Sequence, residues 1–147
     1  MRGLIAAIGL MIMTTTTAQA DYVRVEAQGS VQEVSDRLVA AVENAGARVF
    51  ARVPHSKGAA SVDMALEDAE LVIFGNPKLG TPALQADIHA GLVLPLRVLV
   101  YDDNGQTVLT YESIDALFDG MNIPADAPFR GAMSGALSKL TGAAAGS

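Results

Sequence analysis

The residue pattern predicts an α+β fold, a two-layer sandwich of about five mostly antiparallel strands with helices packed on one face. Three observations carry this. Short stretches with period-two alternation, at residues 22–27 and 48–53, read as half-buried strands. An Asp-Asn-Gly turn at 103–105 joins two apolar runs as a hairpin. Long helical stripes follow the first strand and close the chain, without the repeated strand–helix–strand alternation of a dinucleotide-binding fold.

Each element has a local reason. In the first strand Val23 and Val25 alternate with Arg24 and Glu26, and Gly29 ends it. Ser30 and Glu33 have capping-box spacing, and Val31, Val34, Leu38, Ala41, Val42 and Ala45 then recur on one helical face up to Gly46. A second strand runs from Arg48 to the Pro54-His55 pair, and a shorter helix is expected over residues 58–69, with Ala59, Val62, Leu66 and Ala69 inward. Residues 71–74, Leu-Val-Ile-Phe, contain no polar member and read as a covered interior strand. Thr81-Pro82 has the pattern of an N-cap with proline at the first helical position, so a helix is expected from there to Gly91, with Leu84 and Ile88 facing the core. Residues 94–101 and 106–111 form the hairpin, because Asn104-Gly105 tolerates the positive φ of a type I′ turn. A short helix is expected over 114–120. A last one starts at Pro128, with Phe129, Met133, Leu137 and Leu140 in its stripe and Gly131 and Gly135 allowing close packing on the sheet. The tail 142–147 is small, flexible in composition and expected to pack weakly.

Composition bounds the function. The chain has 147 residues, enough for one domain, with 10 basic and 16 acidic side chains and a formal charge of −6. It has no cysteine, which excludes a disulfide framework, a thiolate metal site, covalent haem attachment and a cysteine nucleophile. An acidic chain with few aromatics is a poor partner for nucleic acid, where clustered cations must neutralise phosphates. Residues 1–20 have the three parts of a secretory signal: Met1-Arg2, an 11-residue apolar run, and a polar stretch closed by Ala18-Gln19-Ala20. The apolar run is too short for a span of about 20 residues. The expectation is cleavage before Asp21, a periplasmic or secreted protein with no transmembrane segment, and a single domain over 21–141. Loss of Arg2 takes the formal charge from −6 to −7.

The chemistry concentrates at residues 74–82, Phe-Gly-Asn-Pro-Lys-Leu-Gly-Thr-Pro. A strand runs into two glycines and two prolines, and a helix start with Lys78 beside it is suited to a small anion, with Asn76, Lys78, Gly80 and Thr81 as ligand-binding residues. The order is not a Walker loop. The histidines are His55 and His89, with no His-x-His or His-x-x-x-His pair to support zinc. His89 is placed late in the Thr81 helix, where a cation is favoured, and His55 on a loop of small residues. His55 is the candidate axial ligand if haem binds, with Met64 or a second chain's histidine opposite. Asp63, Glu67 and Glu70 fall at helical spacing and read as a solvated face, and Ser134 lies in no nucleophile elbow. No catalytic residue set can be assembled, so an enzyme of unknown reaction ranks below a binding module and a haem protein.

The same residues resemble a known family. Residues 74–81 read like the Phe-Gly-Asn-Pro-Lys-x-Gly-Thr signature of the domain-of-unknown-function 302 family; Gln85, Leu94-Pro95-Leu96-Arg97 and Tyr111 fit its later segments. His55 falls where that family often has a histidine, although Pro54 replaces the acidic residue expected before it. The resemblance implies a two-layer sandwich similar to TATA-binding-protein-like folds, often self-associating as a homodimer, and implies no settled activity.

Overall fold

The computed structural model describes residues 21–146. The candidate signal at 1–20 lies outside them. Five strands, β1 (Tyr22–Glu26), β2 (Arg48–Pro54), β3 (Ala69–Gly75), β4 (Leu96–Asp103) and β5 (Gln106–Glu112), form one antiparallel sheet in the order β1-β5-β4-β3-β2. The expected α+β sandwich is therefore what the chain forms, with its long helices packed on one face of the sheet.

Helix α1 (Val31–Asn44) begins as the capping box requires: the Glu33 amide donates to Ser30 Oγ at 3.3 Å and the Ser30 amide to Glu33 Oε2 at 2.8 Å. Its Val31, Val34, Leu38 and Val42 are buried against Val72, Phe74, Val98, Val100 and Leu109 of the sheet. Arg52 on β2 joins helix to sheet. It donates to Glu70 of β3 through Nε and a terminal nitrogen at 2.9 and 2.7 Å, and to Asp36 of α1 at 2.6 Å. The pair holds the Glu70 carboxyl below its ordinary range. Glu70 thus belongs to a strand and an ion network, not to the solvated helical face expected of it with Asp63 and Glu67.

The segment between β2 and β3 departs from expectation. The helix there, α2 (His55–Ala60), is one short stretch that starts three residues early and stops before Ser61. Asp63 has φ of +57°, and Val62, Met64 and Leu66 are exposed. The stripe that suggested a helix over 58–69 has nothing to pack against, so the chain leaves the helical path and Ala69 joins β3.

The β4–β5 hairpin matches its prediction: Asn104 and Gly105 have φ of +54° and +91°, and Asp102 Oδ1 accepts from the Gly105 amide at 2.7 Å. After β5 come the short helix Ile114–Leu117, here α4, and then α5 (Pro128–Ala145). The weakly packed tail is instead the last turn of α5 as far as Ala145. Thr141, Ala144 and Ala145 are buried, the Ala145 carbonyl accepts from the Gln28 amide at 3.1 Å, and the Ala144 carbonyl accepts from Arg37 Nε at 2.8 Å. Small side chains let this end come close to α1, and Arg37 satisfies a carbonyl that the helix cannot. Gly131 and Gly135 are exposed on α5 and do not face the sheet, since an added Cβ at either meets no atom within 4 Å.

Candidate functional site

Strand β3 ends at Gly75, and the chain turns at once into α3 (Pro77–Ala86). The N-cap is Asn76, with Pro77 in the first helical position, rather than Thr81 with Pro82. Asn76 Oδ1 accepts from the Lys78 amide at 3.0 Å, and the Asn76 carbonyl accepts from the Leu79 and Gly80 amides at 2.9 and 3.0 Å. Pro82 sits inside the helix and removes one intrahelical donor. With Pro77 lacking an N–H, the first turn has no amide left over for an anion.

The helix stops at Ala86 instead of continuing to Gly91. Asp87 starts a 3-10 turn over Ile88–Leu92 by accepting from the His89 amide at 2.9 Å, while its other oxygen accepts from the Asn122 amide at 2.9 Å. Those two amides and the His89 ring, 2.8 Å away, hold the Asp87 carboxyl down to about 2. His89 is thus at the front of a short turn beside a carboxylate. Ile88, expected inward, is 72% exposed because the helix has ended before it. Leu84 does face inward, packed against the core.

Between α3, the 3-10 turn and the start of β4 lies a cleft of about 270 Å³, lined mainly by apolar groups. Phe50, Leu79, Leu84, Leu94, Pro95 and Met133 form most of its wall, and Asn76, Gly80 and Thr81 complete it on the α3 side. Of the residues singled out in the sequence, these last three meet at one place. Lys78 is exposed and does not line the wall. Gly80 opens onto empty space, since an added Cβ would meet no atom within 4 Å.

His55 is elsewhere. Gly75 pairs with Arg48 at one end of β2, and Pro54, which precedes His55, pairs with Glu70 at the other. Six strand steps separate the two ends, roughly 20 Å at 3.3 Å per residue. His55 is exposed, opens α2 and is absent from the walls of this cleft and of two others among the described residues. Met64 is exposed on the same connection. Among the described residues there is no group of three or more His, Cys, Asp or Glu side chains able to hold a metal ion.

The apolar wall was missed in the sequence because its members come from four separate segments. Phe50 carried the one local signal, an aromatic on the edge strand, where β2 bulges between Val49 and Ala51 and the side chain stays half exposed.

A single antiparallel sheet, helices on one face and an apolar cleft where β3 leaves the sheet define a two-layer α+β domain with that cleft at the sheet end. The chain belongs to the family described as Domain of unknown function DUF302, whose model matches residues 23–144. A solved structure of an uncharacterized conserved DUF302 protein from Bacillus stearothermophilus superposes with a TM-score of 0.77 at 18% identity, covering 84% of this chain and 97% of that one. Two curated relatives, from Brucella suis and Brucella abortus, are each named fluoride-specific ion channel FluC 1 and are 42% identical over 89 residues. The match covers 60% of this chain but only 35% and 33% of those relatives, so the chain spans about a third of their length. Among the described residues no helix is long and apolar enough to cross a membrane.

Proposed function

We propose that the protein is an exported, non-enzymatic binding module whose ligand occupies the cleft beside residues 74–81. The observation that carries this is the cleft itself: about 270 Å³, walled by Leu79, Leu84, Leu94 and Met133, with Asn76 and Thr81 as the polar residues among its lining. That is the composition of a small-molecule site, just under the usual size range of roughly 300–1,000 Å³. The ligand accordingly has a small apolar body. Export rests on the residue pattern of 1–20. The activity in the names of the channel relatives stays with them, since the shared segment is about a third of their length.

Self-association belongs to the same reading. The sheet face opposite the long helices carries Leu71, Ile73 and Leu99, and light scattering tests whether it joins two copies. Haem ligation by His55 gains no support from the cleft, because the imidazole stands at the other end of β2.

Indole, a neutral bicyclic probe, tests the site. Titrated into labelled protein and followed by NMR, it is expected to shift the methyl signals of Leu79, Leu84, Leu94 and Met133 saturably. Absence of any shift at millimolar indole, or shifts elsewhere on the molecule, would overturn the reading.

A further inference from the structure

We propose that the ligand of this cleft is an amphipathic carboxylate, its apolar ring or short chain seated on Leu79, Leu84 and Met133 and its charged end at the mouth beside Arg48 and Lys78. The inference rests on the binding reading above and adds the ligand's charge and orientation to it.

The placement of cations supports it. Acidic side chains outnumber basic ones by 16 to 10, so a cation here has carboxylates available throughout the surface. Among the described residues Arg24, Arg52 and Arg130 take such partners, and Arg37 donates to the Gln28 and Ala144 carbonyls. Arg48, Lys57, Lys78, Arg97 and Lys139 have no carboxylate within ion-pair distance among the described residues. Lys57 and Lys139 stand apart, on α2 and α5. Arg48 and Lys78 flank the point where β3 passes into α3, and Arg97 lies on β4.

Arg48 is the register partner of Gly75, a wall residue, and its guanidinium carbon lies 5.6 Å from the centre of the Phe50 ring, another wall residue. A guanidinium stacked on an aromatic face keeps its in-plane N–H donors free, and these are the donors that bind carboxylates. Lys78 follows the wall residue Pro77, whereas Arg97, next to Leu96 on β4, points to the other face of the sheet and lines a separate cleft with Leu71 and Leu99. An anionic end group at this mouth has Arg48 and Lys78 beside it, neither with a carboxylate partner among the described residues, while the acidic remainder of the surface repels it. That contrast favours this site over others for an anion. The helix amides take no part, since Asn76 has already bonded them. The body cannot be highly polar, because the wall behind the mouth offers few hydrogen-bonding groups.

The test compares 3-phenylpropionate with 3-phenylpropanamide, which share ring and chain and differ in charge. Calorimetric titration of the purified protein is expected to show tighter binding of the carboxylate. Arg48→Gln and Lys78→Gln are each expected to reduce that preference by about two- to fivefold, the scale of a partly exposed ion pair, and to leave amide binding unchanged. Raised salt narrows the preference further. If the amide binds the parent protein as tightly as the acid, or the preference survives both substitutions, the charge assignment is overturned while the cleft reading stands. If neither compound binds at millimolar concentration, both are overturned.

Discussion

Asn76 and Asp87 bracket α3, one starting it and the other ending it, and both act through a single carbonyl-type oxygen on a nearby amide. Asp87 does more, because its second oxygen reaches the Asn122 amide and so ties the 3-10 turn to the segment after α4. Its carboxyl titrates at about 2 in the folded protein against an ordinary 3.8. A depressed folded value means that the unfolded chain binds the proton more readily, so the stabilisation is complete above about 3.8 and disappears as pH falls toward about 2. Asp87→Asn is therefore expected to lower the melting temperature at neutral pH, with the gap to the parent closing between about pH 4 and pH 2. A gap constant across that range would assign the effect to hydrogen bonding without charge. Gly80 gives the opposite kind of prediction. It is helical, and an added Cβ meets no atom within 4 Å. Gly80→Ala is expected to raise stability by about 0.5–1 kcal/mol in urea unfolding, through reduced backbone entropy of the unfolded chain.

Elements whose signals are local and self-contained were legible in the sequence. The Ser30/Glu33 box, the Asn104-Gly105 turn and the Met133–Leu137–Leu140 stripe each specify their structure within a few residues. Where two equivalent signals competed, tertiary position decided. Asn76-Pro77 and Thr81-Pro82 are both an N-cap followed by proline; the first wins because β3 stays paired through Gly75 and the chain must turn there. Asn76→Ala is accordingly expected to cost about 1 kcal/mol and Thr81→Ala less than about 0.5 kcal/mol, as read by denaturant unfolding. The stripe of Val62 and Leu66 misled because helical spacing implies burial only when a surface exists to receive it, and here none does. The packing of Ala144 and Ala145 was invisible for the converse reason. Alanine carries little hydrophobic signal, yet its size is what lets the end of α5 approach Gln28 and Arg37.

At the scale of the whole molecule, the antiparallel register sorts the candidate residues into two ends. Gly75, the strand partner of Arg48, and the Leu94-Pro95 approach to β4 meet at the cleft, while His55 is carried to the far end of β2. This sorting depends on strand order and pairing, which no single segment encodes, so half of the 74–81 site was legible and its apolar wall was not. The proposed export is tested on the full chain: mass spectrometry of the mature protein is expected to find an N-terminus at Asp21, and an intact Met1 would refute cleavage. The central claim is that the cleft beside residues 74–81 receives a ligand. Its most direct test is calorimetric titration of 3-phenylpropionate into the parent and into Gly80→Leu, which adds bulk at a wall position where a Cβ meets no atom within 4 Å. The account predicts saturable binding by the parent and none by a Gly80→Leu variant that melts no lower; equal binding by both proteins would contradict it.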